Sequence, residues 1–120
     1  MLVSIVIPVF NESKTIFEIL KKVNEIKDFN KEIIIINDGS TDNTKEIIKK
    51  NCSNLYSKFI TYKENKGKGH ACRKGLMQVE GQIVIIQDAD LEYDPNDYSK
   101  LIEPIIKKKS KIVYGSRVLK

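Results

Sequence analysis

The sequence predicts an α/β fold in which a mostly parallel sheet carries helices on both faces. Three observations support this. Leu2–Val9, 32–37 and 82–87 are unbroken runs rich in Ile and Val, the pattern of strands buried on both sides. Between them, apolar residues recur at helical spacing, which implies crossover connections. Polar clusters at Asn11 and Glu12, 37–42, 65–69 and 88–94 then follow successive strands. They fall together at the carboxyl ends, where parallel sheets bind ligands.

Element by element, Leu2–Val9 reads as a strand ending at Pro8 and Asn11. Residues 12–27 place Ile16, Ile19, Leu20, Val23 and Ile26 on one helical face. Residues 32–37 form the second strand, and 41–51 a helix whose cap is expected at Ser40 or Thr41. Lys58–Tyr62 is a short strand, and 68–79 a helix with Ala71, Leu76 and Val79 available for packing. Residues 82–87 are a strand, 95–108 a helix interrupted by Pro104, and 111–114 the closing strand. The expected architecture is therefore Rossmann-like. Without an internal repeat, low-complexity tract or linker, residues 1–120 are expected to be one domain.

Composition narrows the function. At 41% apolar and 31% charged residues over 120 positions, disorder is not expected. The longest apolar runs, 33–36 and 83–86, fall far short of the ~20 residues a membrane span requires. The N-terminus lacks the basic region of a signal peptide. Cys52 and Cys72 have no metal or redox spacing and read as reduced thiols of a cytoplasmic protein. The net charge of +5 is unevenly placed, with the bases concentrated in 58–74 and 107–120. Between these stretches lie Asp88, Asp90, Glu92, Asp94 and Asp97. That arrangement suits a metal held against phosphates. A solvated lysine-rich face explains many of the lysines equally well.

Four segments can carry chemistry. In 36–44, Gly39 permits a tight turn and Asp42 suits a helix start, while Asp38 leaves a buried strand as a carboxylate able to accept from a base N–H or ribose hydroxyl. In 87–95, Asp94 and Asp97 fit the capping of a helix begun by Pro95. That leaves Asp88, Asp90 and Glu92 at alternate positions on one side of an extended chain. Oxygen ligands of this kind select Mg²⁺ or Mn²⁺. In 65–71, Gly67 and Gly69 flanked by Lys66 and Lys68 can present backbone N–H groups and ammonium charges to a phosphate. This loop lacks the spacing of both the P-loop and the dinucleotide fingerprint. His70, the sole histidine, pairs with no nucleophile in any recognisable pattern and is left without a role. Finally, Arg117 after Tyr114 and Gly115 can reach a phosphate, or be an arginine of a flexible C-terminus.

Taken together, Ser4-Ile-Val-Ile-Pro-Val-Phe-Asn-Glu12, Asn37-Asp-Gly-Ser-Thr-Asp42, Asn65-x-Gly-x-Gly69 and Asp88-Ala-Asp90 resemble, in order and spacing, the family 2 glycosyltransferases of the GT-A fold. The acidic segment and Tyr114-Gly-Ser-Arg117 are most similar to the polyprenol-phosphate branch, the dolichol-phosphate mannose and glucose synthases. The resemblance implies that Pro8, Phe10 and Glu12 border the nucleotide, with Phe10 in place of a Tyr common in the branch. It implies that Asp38 binds base or ribose and that Asp88 and Ala89 lie against the nucleoside. Asp88, Asp90 and Glu92, the last replacing a frequent Gln, are expected to hold Mg²⁺ or Mn²⁺ on the diphosphate. Lys66, Lys68 and Arg117 are expected near the phosphates.

The implied reaction is inverting transfer of a hexose from a UDP- or GDP-sugar to an acceptor, a polyprenyl phosphate or a glycan. The resemblance covers the donor-binding half of the family domain, so a truncation before the acceptor-binding part is expected. Any general base is expected outside this chain. An exposed sheet face offers a route to self-association, and peripheral attachment at the cytoplasmic membrane surface is the most membrane contact expected. Other readings are a nucleotide- and metal-binding fragment without turnover and a nucleotidyltransferase, although Pro8–Asn11 stands where the latter needs a glycine-rich loop. A nucleic-acid module gains nothing from the acidic cluster, and nucleic acid is not an expected partner.

Overall fold

The computed structural model of the chain describes residues 2–89, 112–114 and 117–119, the last two stretches in backbone only. Strands β1 (Leu2–Val9), β2 (Asn30–Asp38), β3 (Lys58–Tyr62), β4 (Ile83–Ile86), β5 (Ile112–Tyr114) and β6 (Arg117–Leu119) form one sheet in the order β3-β2-β1-β4-β5-β6. Every pairing is parallel except that of β5 with β6. Three described helices connect the strands: α1 (Ile16–Glu25), α2 (Thr44–Asn51) and α3 (Lys68–Leu76).

The two-residue period of a strand divides the β-branched side chains between two cores. Ile5 of β1 stands beside Ile33 of β2 and Ile85 of β4, and these pack on one face with Ile16, Ile19, Leu20 and Val23 of α1 and Ile48 of α2. Val6 stands beside Ile34 and Ile86, and these face Ala71, Leu76 and Val79 at α3 on the other side. The expected α/β class, with helices on both faces, is what the chain adopts. Close helix–sheet packing on the α3 side depends on Gly75, where a Cβ would fall 2.3 Å from Val6 Cγ1.

The rim at the amino ends of the strands is tied by a buried carboxylate. Glu32, 7% exposed, accepts from the Ser4 hydroxyl at 2.5 Å and the Glu80 amide at 2.6 Å. The Ser4 oxygen accepts in turn from the Gly81 amide at 2.8 Å, and Lys58 stands 3.5 Å from the other Glu32 oxygen. The turn before β4 is thereby fixed to β1 and β2.

The helices are shorter than their sequence patterns suggest. α1 begins at Ile16 rather than residue 12, because Asn11 takes a left-handed φ of 54° and residues 12–15 form a turn on the Glu12 carbonyl. α2 begins at Thr44 rather than Thr41, and neither Ser40 nor Thr41 caps it. The Thr41 and Asp42 amides donate instead to Asn11 Oδ1, at 2.8 and 3.3 Å, and Asp42 accepts from the Thr44 amide at 3.0 Å. α3 ends at Leu76.

Strand β6 was not expected. Tyr114 pairs with Arg117 across an antiparallel ladder, so Arg117 lies on a strand rather than in a flexible terminus. The predicted helix 95–108 and the capping pair Asp94 and Asp97 lie outside the described residues. Among the described residues no helix is long and apolar enough to cross a membrane.

Candidate functional site

From β1 the chain steps outward through β2 to β3, then returns to β4 on the other side of β1. Connections therefore leave the carboxyl ends of β1 and β4 in opposite directions and open a crevice between them. A cavity of about 280 Å³ lies there, lined by Pro8, Phe10 and Glu12 after β1 and by Asp88 and Ala89 after β4. Asp38 at the end of β2 and Asn65, Gly67, Lys68 and Ala71 around the start of α3 complete the wall. Described members of the polar clusters read from the sequence, Glu12, Asp38, Asn65, Gly67, Lys68 and Asp88, do converge on one rim.

Asp38 organises that wall. Its carboxylate is 2% exposed and accepts at Oδ1 from the Tyr62 hydroxyl (2.7 Å) and the Lys66 amide (2.9 Å). At Oδ2 it accepts from the Asn65 side-chain amide (2.9 Å) and the Gly67 amide (3.0 Å). The loop was expected to turn its backbone N–H groups toward a bound phosphate. The Lys66 and Gly67 amides instead serve this internal anion, because a buried carboxylate needs donors at every lone pair. Lys66 itself does not line the cavity. Burial, reinforced by the hydrogen bond to Asp38 and its charge, raises the Tyr62 phenol well above its ordinary pKa.

The loop also presses against the end of β2. Gly39, at φ 65°, lets the Asn65 backbone approach so closely that a Cβ would fall 2.3 Å from Asn65 N. A second bracket joins the loop after β1 to that before α2. Asn11 donates its backbone N–H to Ser40 Oγ at 3.0 Å while its side chain holds Thr41. The Thr15 hydroxyl donates to the Ala89 carbonyl oxygen, tying the segment after β4 to the start of α1.

Across the cavity, Lys68 Nζ forms an ion pair with Asp88 Oδ1, the lysine side chain 47% exposed and the aspartate 16%. Asp88 is thus a hard oxygen donor facing the cavity and already holding a cation, which fits the chemistry of a divalent-ion ligand. Among the described residues no group of three metal-binding side chains occurs. The other expected ligands, Asp90 and Glu92, lie outside the described residues, as does the side chain of Arg117. Cys72 lies close enough to feel Lys68, Asp88 and Arg73, but burial dominates and raises its thiol pKa. Phe10 is 44% exposed at the cavity edge, an apolar surface open to a ligand.

The sequence names Asn11 and Asn65 only as members of rim motifs and Tyr62 only as the end of a strand, with no role of its own for any of the three. Asn at a strand end is a signal for left-handed backbone, and it was available for Asn11. Nothing local marks Tyr62 or Asn65, whose partner is 24 or 27 residues away. His70 stands edge-on to the Tyr62 ring at 5.6 Å, its Nε2 buried and without a hydrogen-bond partner among the described residues.

The family model described as Glycosyl transferase family 2 matches residues 4–120. A dolichol-phosphate mannosyltransferase of Pyrococcus furiosus is 35% identical over the whole chain, which covers 34% of that protein. A poly-beta-1,6-N-acetyl-D-glucosamine synthase of Staphylococcus aureus is 43% identical over 94 residues, 78% of this chain and 23% of the relative. Among solved structures, S. aureus TarS 1–349 in complex with UDP-GlcNAc superposes with a TM-score of 0.74 at 26% identity, over 92% of this chain and 32% of TarS. The mannosyltransferase PcManGT of Pyrobaculum calidifontis, in complex with GDP-Man and Mn²⁺, gives 0.70 at 27% identity over 79% of this chain and 29% of its own. The chain therefore spans about a third or less of the length of these relatives.

Proposed function

The chain belongs to glycosyl transferase family 2, and from that membership we propose that its cavity binds the nucleoside diphosphate of a UDP- or GDP-sugar, as the donor half of an inverting hexosyltransferase. The observation that carries this reading is the Lys68–Asp88 pair facing Asp38 and Phe10 across the β1–β4 crevice. It sets a cation, a carboxylate and an apolar surface around one space, which is what a diphosphate, a divalent ion and a base require together. The nucleotide ligands of TarS and PcManGT support the same reading.

In this proposal Pro8 and Phe10 lie against the base, with Glu12 and Ala89 beside the nucleoside. Asp38 borders base or ribose while holding the Asn65–Gly67 wall in place. Asp88, together with Asp90 and Glu92, holds Mg²⁺ or Mn²⁺, which when bound offsets the negative charge that develops on the departing diphosphate. Lys68 directs its ammonium to the phosphate oxygens, assisted by Arg117. The walls keep the anomeric carbon oriented so that an acceptor approaches from the face opposite the leaving group, which inverts its configuration.

A phosphate acceptor is ionised at neutral pH and attacks without a general base, which makes a polyprenyl phosphate the acceptor we favour. The Pyrococcus relative's name supports this choice. Such an acceptor places the reaction at the cytoplasmic membrane surface, and acceptor-binding parts are then contributed by residues beyond those of this chain. Calorimetric titration with a panel of UDP- and GDP-hexoses, with and without Mn²⁺, tests the reading. Saturable, Mn²⁺-dependent binding of one base series is expected, and its absence for every nucleotide overturns the proposal.

A further inference from the structure

We propose that Lys68 makes divalent-ion binding and nucleotide binding depend on one another, by occupying Asp88 until a diphosphate draws it away. The inference rests on the reading of the cavity as a donor site and adds to it an ordering residue. Lys68 Nζ sits on Asp88 Oδ1, and both side chains line the same cavity. A divalent ion arriving alone must take that oxygen from the ammonium, or share it against the repulsion of a second cation at contact distance.

The pair is placed so that only a side chain has to move. Immediately before Lys68, the backbone amides of Lys66 and Gly67 are fixed to the buried Asp38 carboxylate. Within α3, Gly75 is packed directly on Val6. The Lys68 backbone is therefore held at both ends of its helix, while its side chain, nearly half exposed, reaches Asp88 from the solvent side of the cavity wall. Asp88, the more buried partner, stays at the wall.

A nucleoside diphosphate changes the balance, because it brings negatively charged oxygens into the space between the two residues. The ammonium then has a diphosphate to pair with in place of Asp88, and the vacated Asp88 oxygen is available to the metal. Each ligand removes a cost that opposed the other, and by linkage the metal strengthens nucleotide binding by the same factor as nucleotide strengthens metal binding.

The test is a Mn²⁺ titration of the 120-residue chain, read by electron paramagnetic resonance of free Mn²⁺, with and without saturating UDP or GDP. It is run on the natural chain, Lys68→Met and Lys68→Arg. The natural chain should bind Mn²⁺ about tenfold or more weakly without nucleotide than with it. Lys68→Met should bind Mn²⁺ alone about tenfold more tightly than the natural chain and lose most of the coupling, whereas Lys68→Arg, which keeps the cation, should retain it. If Lys68→Met leaves the Mn²⁺ affinity of the free protein unchanged while nucleotide still binds, the inference is wrong and the donor-site reading stands. If the natural chain binds neither UDP nor GDP under any condition, both fall.

Discussion

The Gly67 amide donates to the Asp38 carboxylate at 3.0 Å, joining the loop before α3 to the end of β2. Because all the lone pairs of that carboxylate have donors from the same chain, it shapes the cavity before any ligand arrives. Asp38→Asn replaces one acceptor oxygen with a donor amide and leaves buried N–H groups facing it. A loss of about 2–3 kcal/mol in urea denaturation is expected, with faster hydrogen exchange at Lys66 and Gly67. Unchanged exchange at those amides would show that the loop holds itself.

The opposite rim gives the fold an acid-sensitive point. Burial alone would raise the Glu32 pKa, but the Ser4 hydroxyl, the Glu80 amide and Lys58 outweigh it and hold the carboxyl below its ordinary value of 4.5. A depressed folded pKa contributes stability that is complete above the unfolded value and is lost as pH falls through the folded one. Glu32→Gln should cost about 2 kcal/mol at neutral pH. Its denaturation free energy should also fall less steeply than that of the natural chain below pH 4.5. Parallel pH profiles for the two proteins would remove Glu32 from the account of acid sensitivity.

Gly39 is the tightest point between the two loops that build the cavity. In Gly39→Ala the left-handed φ alone costs about 1–2 kcal/mol. The new Cβ also meets the Asn65 backbone, which cannot rotate away as a flexible side chain could. The total should exceed about 2 kcal/mol, seen as a lowered Tm. Nucleotide affinity should fall with it, since the Asn65–Gly67 wall must shift.

Phe10 should behave in the opposite way. It is 44% exposed, so Phe10→Ala should change stability by less than about 1 kcal/mol. It should lower UDP or GDP affinity by about tenfold, the scale of one lost aromatic–base contact. Equal affinity for the variant would move the base away from this edge.

The sheet was legible because Ile and Val runs determine buried strands whatever their neighbours, and Lys58–Tyr62 falls where its pattern puts it. The start of α3 at Lys68 falls where its pattern puts it, but the starts of α1 and α2 were not legible, because their expected first turns are unwound by a contact between distant segments, Asn11 with Thr41 and Asp42. The same holds for the site. Convergence at the rim follows from parallel topology, and Pro8, Phe10, Glu12, Asp38, Lys68, Asp88 and Ala89, which spacing and resemblance single out, all line the cavity. Which donors Asp38 would take, and that Lys68 would choose Asp88, depends on three-dimensional approach that no local pattern encodes. Strand β6 was within reach, since a Gly-Ser dipeptide following an apolar run is a sequence signal for antiparallel strands.

Paramagnetic broadening by Mn²⁺ tests most directly whether a divalent ion and a nucleotide meet at the β1–β4 crevice. With UDP or GDP present, substoichiometric Mn²⁺ should broaden the amide resonances of Phe10, Gly67, Lys68, Asp88 and Ala89. Those of Asn54, Tyr56 and Ser57, which line a separate cavity at the opposite rim, should stay sharp. Broadening centred on Tyr56 and Ser57, or none at the crevice at any nucleotide concentration, would contradict the assignment.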